Sequence, residues 1–253
     1  FGKETAGEDS RTYAMILEKQ ENDENAVDKN GKLITQNPDT EEKETWKTPV
    51  VKADISMEKL RDYEYLMSHF YTVDSSTMAD EGLINADKLM GKDMKLNPDT
   101  KGAKVLIYHT HSQEQFADSV PGDAGTSIVG MGTYLSELLN QKYGIETYHH
   151  TGVYDLVNGK LDRSKAYQLA EPDVQKILKE NPAIEVVIDL HRDGVAEGTH
   201  LVTEIDGKPT AQIMFFNGLS RTRANGNISY LPNPYLEDNL AFSLQMEIAA
   251  AKY

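Results

Sequence analysis

Seven histidines, no cysteine and a surplus of carboxylates set the chemistry open to this 253-residue chain. His109, His111 and Glu114 follow one apolar run, Val105-Leu106-Ile107-Tyr108. His191, Arg192 and Asp193 follow another, Val186-Val187-Ile188-Asp189-Leu190. Without thiolates a zinc site must be built from His with Asp or Glu, and two histidines, one glutamate and an open fourth position form the usual hydrolytic arrangement. The spacing of His111 and Glu114, in a turn leaving a strand, lets both side chains converge on one ion, and His191 at a neighbouring strand end can supply the third ligand. A His-x-x-Glu pair alone arises often by chance. Its place after an apolar strand, matched by Asp189-Leu190-His191-Arg192-Asp193, is what makes it informative.

The neighbouring residues suggest supporting parts. His109 alternates with His111 and points to the opposite face if the strand runs on, so it reads as a support for the ligands and as the first alternative to His111. Asp189 could orient a ligand histidine through its other ring nitrogen, or form a buried salt bridge. Arg192 could stabilise an oxyanion, hold a substrate carboxylate, or pair with Asp193. His149-His150 reads as a surface pair, with substrate contact as its alternative, and His69 and His200 read as structural.

These residues need elements to position them. The short apolar runs, the first bounded by Asp99-Thr100-Lys101-Gly102, read as buried strands of a parallel sheet. Ligands in such sheets bind beyond the carboxyl ends of the strands, where both histidine motifs fall. Between them the pattern predicts a helix from about Ser127 to Tyr143 closed by Gly144, a strand over 145–148, a helix around 164–170, and another opened by Pro172 and ending at Lys179. The expected fold is therefore α/β: a mostly parallel twisted sheet with helices on both faces. Residues 199–205 and 211–216 flank Asp206-Gly207-Lys208-Pro209 and predict a hairpin forming an antiparallel sheet edge. Residues 217–235 read as loop and 236–253 as an amphipathic helix with Leu240, Leu244, Ile248 and Ala251 on one face.

Upstream, Leu60, Tyr63, Leu66, Met67 and Phe70 predict one helix over 57–72 behind a Ser56 cap, and 85–94 a weaker helix or a covering loop. Residues 1–50 are too polar to offset their ordering entropy and read as a linker or a loosely packed extension, which Trp46 at its end could pin to the domain. The expected division is an acidic, partly helical extension over 1–95 and a catalytic domain over 96–253.

Composition excludes other classes. A formal net charge of −15 disfavours a nucleic-acid groove or an anionic membrane surface. The lack of cysteine rules out a disulfide framework and thiolate zinc sites. No run approaches the roughly 20 apolar residues of a membrane span. The chain begins on Phe1-Gly2, and any membrane anchor is expected to lie outside it.

Tyr108-His109-Thr110-His111-Ser112-Gln113-Glu114 and Ile188-Asp189-Leu190-His191-Arg192-Asp193 resemble the two signature stretches of the stage II sporulation protein P family, which is related to zinc-dependent N-acetylmuramoyl-L-alanine amidases. The resemblance covers roughly residues 100–253. It implies a zinc amidase or carboxypeptidase-like fold, one Zn²⁺ on His111, Glu114 and His191, and hydrolysis of the amide between N-acetylmuramic acid and L-alanine in peptidoglycan. It also implies an extracytoplasmic setting, anchored to the mother-cell membrane and facing the forespore during engulfment, in company with stage II sporulation proteins D and M. The family carries its catalytic-base glutamate in a strand after the last helix. This chain ends at Ala249-Ala250-Ala251-Lys252-Tyr253, so that base is expected to be missing, and neither Glu197 nor Glu204 has support as a substitute. Two other readings stand beside it: a zinc carboxypeptidase, which shares the ligand plan and would grip a terminal carboxylate through Arg192, Arg221 or Arg223, and an inactive wall-binding module, which the missing base favours.

Overall fold

The computed structural model describes residues 53–194 and 201–252; Trp46, Glu197, His200 and the linker expected over 1–50 lie outside them. Along the chain run three short helices, α1 (Met57–Leu60), α2 (Tyr63–Phe70) and α3 (Ala86–Met90). Next come β1 (Val105–Tyr108), α4 (Ile128–Glu137, prolonged by a π turn over Leu138–Lys142), β2 (Thr147–His149), β3 (Leu156–Val157), β4 (Lys160–Leu161), α5 (Ala166–Glu180) and β5 (Val186–Asp189). The chain then gives β6 (Val202–Ile205), β7 (Lys208–Ala211), β8 (Arg221–Thr222), β9 (Gly226–Asn227) and α6 (Leu236–Ala251). The described residues fall into two units, one of 96–194 and one of 53–95 with 201–252.

The first unit is built on a three-stranded sheet in the order β2-β1-β5, with both pairings parallel. Central β1 is buried on both faces, which its unbroken apolar run requires: Val105, Leu106 and Ile107 are all 5% exposed or less. The flanking strands are only half-buried, and Val187 of β5 is exposed. Helix α4 starts on a Ser127 cap, whose hydroxyl accepts from the Val129 amide, and the chain turns out of the helical segment at Gly144 with a φ of +65°. Its Gly132 lies against His109, on the side of β1 that carries Ile107. Tyr108, on the other side, packs with Tyr154 and with Ala166 and Ala170 at the start of α5.

Three expectations are corrected here. The two helices expected either side of Pro172 are one: Ala166, Ala170 and Ile177 form a buried stripe that crosses the proline, so tertiary burial overrides a local breaker. The 57–72 helix is two, because the Asp62 side chain accepts from the Tyr65 amide and starts a new helix at Tyr63. The hairpin exists, but as the separate two-stranded sheet β6-β7 rather than an edge of the parallel sheet. Its two-residue turn is Asp206-Gly207 (φ +52° and +74°), and Pro209 stands within β7 opposite Glu204, at a position that faces away from β6, so its missing N–H costs the ladder no bond.

In the second unit α1, α2, α3 and α6 share one core made by Leu60, Leu66, Ile84, Leu89, Leu240, Leu244 and Ile248. Ala251, expected on the buried face of α6, is exposed. Lys88 and Lys92 pair with Glu237 and Asp238 in the first turn of α6.

Candidate metal centre

Parallel pairing of β1 and β5 sets Tyr108 opposite Asp189, so both chains leave the sheet at the same carboxyl edge. His111 follows three residues beyond Tyr108, and His191 two beyond Asp189. There the ligand atoms of His111, Glu114 and His191 all lie within 4.8 Å of one another. Glu114 and His111 are buried, and the His191 side chain is 27% exposed, which leaves the cluster open on its side.

The two oxygens of Glu114 have different fates. Oε2 accepts a 2.5 Å hydrogen bond from the Arg192 backbone amide, tying the ends of the two motifs together. Oε1 lies 3.3 Å from His111 Nδ1 and 3.6 Å from His191 Nδ1. Neither contact has hydrogen-bond geometry, and the oxygen is buried without a partner. An unpaired buried acceptor costs roughly 1–3 kcal/mol, more when charged. Two histidine nitrogens and a carboxylate oxygen facing one another in this way fit a divalent cation such as zinc. Burial alone would raise the Glu114 carboxyl, but contacts with His111 and His191 and the Arg192 amide outweigh it and hold it at about 2. Burial likewise opposes charge on His191, yet the carboxylates of Asp189 and Glu114 push it up to about 10. Without a cation, the proton on His191 supplies the compensating charge.

Asp189 holds His191 from behind. Its Oδ1 is 3.0 Å from His191 Nε2, leaving Nδ1 to face Glu114. Thr110 donates to Asp189 through its amide (2.9 Å) and hydroxyl (2.7 Å), and its Oγ1 lies 2.9 Å from His191 Nε2. Arg192 donates from Nε to the Gln115 carbonyl and from Nη1 to the Asp193 carbonyl, so its link to Asp193 runs through the backbone.

His109 is fully buried and stands apart from the three converging ligands. Its Nδ1 lies 2.8 Å from the Leu190 carbonyl, an acceptor, so Nδ1 carries the proton. Burial lowers its pKa and keeps the ring neutral, so Nε2 accepts from His149 Nε2–H at 2.9 Å. His149 is itself held down at about 4 by burial and by the neighbouring His109 and His150. The expected surface pair is therefore half-buried and engaged: His150 Nε2 meets the Tyr154 hydroxyl at 2.6 Å, and that hydroxyl donates to Asp173.

Two residues of the site escaped the sequence reading. Thr110 lies between the two histidines of the first motif, where only the Asp189 contact reveals its part. Tyr167, 47% exposed, stands edge-on to His111 (5.6 Å between ring centroids) and stacks loosely on His191 (6.4 Å). No signal in the sequence links it to either. His69 stacks on Tyr65 in α2. In the second unit Arg221 pairs with Asp80, Arg223 donates to the Thr77 carbonyl, and Glu204 is exposed on β6.

Comparison with known proteins gives a consistent picture. The family model described as stage II sporulation protein P matches residues 3–253. Stage II sporulation protein P of Bacillus subtilis (strain 168) is 26% identical over 123 residues, an alignment covering 45% of this chain and 30% of that protein's length. No solved structure matches the chain.

Proposed function

The chain belongs to the stage II sporulation protein P family, and from that premise we propose that it is a zinc-dependent N-acetylmuramoyl-L-alanine amidase acting on peptidoglycan during engulfment in sporulation. The observation that carries this reading is the convergence of His111, Glu114 and His191, with Glu114 Oε1 buried and unpaired among them. A zinc ion held by these three residues would polarise the amide carbonyl and bring the pKa of a bound water to about 7.

The residues of the chain do the rest. Asp189 and Thr110 fix the ring of His191 so that Nδ1 faces inward. The Arg192 amide holds Glu114 through Oε2 and leaves Oε1 for the ion. Arg192, anchored through two of its guanidinium nitrogens, is placed to contact the developing oxyanion or a substrate carboxylate. Substrate approaches on the His191 side, past the exposed ring of Tyr167. A glutamate base for the attacking water is unassigned. The setting implied is extracytoplasmic at the mother-cell membrane, with stage II sporulation proteins D and M as partners. Among the described residues no helix is long and apolar enough to cross a membrane.

The test is elemental analysis of the protein and of its His111→Ala and His191→Ala variants, followed by incubation with purified sacculi. The expected result is about one zinc per chain, lost in both variants, with free lactyl carboxyls on muramic acid as the product. Release of a C-terminal amino acid would identify a carboxypeptidase. Binding to sacculi without any release, and unaffected by loss of the histidines, would identify a wall-binding module.

A further inference from the structure

Asp155 is fully buried, and nothing above gives it a part. Its carboxylate accepts from the Ser112 hydroxyl at Oδ1 and from the Gln113 amide at Oδ2, each at 2.9 Å. Its own carbonyl accepts from the Asp162 amide, which ties it to the β3-β4 hairpin. Ser112 and Gln113 are the two residues between His111 and Glu114. Desolvating a carboxylate is expensive unless its oxygens are hydrogen-bonded, and here both are taken up by this one turn. The other bonds of the turn gather at Glu114, which takes the Arg192 amide at Oε2 and the Ile128 amide at its carbonyl; between His111 and Glu114 the backbone adds only the Glu114 amide to the His111 carbonyl, at 3.3 Å.

We propose that Asp155 is a positioning residue for the metal ligands: by clamping Ser112 and Gln113 it holds the 111–114 turn in the one conformation that aims His111 Nδ1 and Glu114 Oε1 at the same point. The proposal rests on the metal reading given above. It makes the ligand pair depend on a residue more than forty positions downstream, so the His-x-x-Glu motif is only half of the device. It also separates shape from charge. An asparagine at 155 can still accept from the Gln113 amide and present its NH₂ to Ser112 Oγ, whereas alanine leaves both donors without a partner.

The experiment is a zinc titration of the metal-free protein against a chromophoric chelator, well below the melting midpoint, on the wild type and on Asp155→Ala, Asp155→Asn and Ser112→Ala. Loss of a residue that holds metal ligands typically weakens binding about 10–100-fold, the loss expected for Asp155→Ala. Asp155→Asn should stay within about threefold of wild type, and Ser112→Ala, which removes one of the two bonds, should fall between. A merely structural role would lower the melting midpoint of Asp155→Ala and leave the affinity of its folded fraction unchanged, which overturns the proposal. So would an Asp155→Asn variant as weak as Asp155→Ala, since charge and not geometry would then matter. Should Asp155→Ala fail to fold, Ser112→Ala decides: an affinity equal to wild type rejects the clamp. A wild-type protein that takes up no zinc would reject the metal reading and the clamp together, an outcome visible in the first trace.

Discussion

Replacing Gly132 by alanine tests the packing behind the metal site. Glycine-to-alanine changes inside helices ordinarily help, by about 0.8–1.0 kcal/mol in helix propensity. Here a Cβ would stand 2.6 Å from both His109 Nε2 and His149 Nε2, and 2.9 Å from His109 Cε1. His109 cannot step aside cheaply: it is fully buried, bonded at Nδ1 to the Leu190 carbonyl and at Nε2 to His149. Overpacking costs about 1–3 kcal/mol, and loss of the hydrogen bond between the two rings adds about 1. Less the helix gain, the expected net effect is a destabilisation of about 1–3 kcal/mol. Urea unfolding followed by far-ultraviolet circular dichroism measures it. A Gly132→Ala protein as stable as wild type, or more so, would mean that the two imidazoles do not pack under α4 as described.

Three further outcomes are expected. Because Asp189 and Glu114 hold His191 protonated up to about 10, zinc uptake near pH 8 should release about one proton per chain, read with an indicator in weak buffer; Asp189→Asn should release less. His149, depressed from 6.5 to about 4, is protonated first in the unfolded chain, so its contribution is present above about pH 6.5 and lost as pH falls toward 4. His109 acts with the same sign, and His149→Asn should flatten the decline of the urea midpoint across that window. In the second unit, Leu89→Ala should cost about 2–5 kcal/mol in urea unfolding, since Leu89 is fully buried among the helices that pack on α6.

The legible parts of the molecule were those with a local cause. The run Val105–Tyr108 is apolar because β1 is buried on both faces, and that pattern survives in one dimension. Ser127 and Gly144 marked the two ends of the α4 region, the first by a side-chain cap and the second by its positive φ. What was not legible depended on a distant partner. Nothing near Pro172 announces that Ala166, Ala170 and Ile177 share a buried stripe strong enough to carry a helix through it. Nothing near Leu60 and Leu66 shows that their core is completed by Leu240, Leu244 and Ile248, far along the chain. His149-His150 read as surface because the sequence does not show His109 buried beneath α4 and reaching toward them.

The same distinction explains why the ligand set follows from strand register rather than from the motif alone. His-x-x-Glu brings two donors near one another, but the third arrives only because Tyr108 pairs with Asp189. A one-residue slip of β5 would move His191 along the edge by about 3.3 Å and turn Asp189 to the other face of the sheet. That slip would break both Thr110 bonds to Asp189 and withdraw the Arg192 amide from Glu114. Those contacts therefore do two jobs at once. They orient His191 and Glu114, and they penalise every other pairing of β1 with β5, an edge strand whose own half-exposed side chains specify register weakly. The polar residues at the ends of the two strands are thus part of what aligns the sheet, and the geometry offered to a metal is the same geometry that locks the fold.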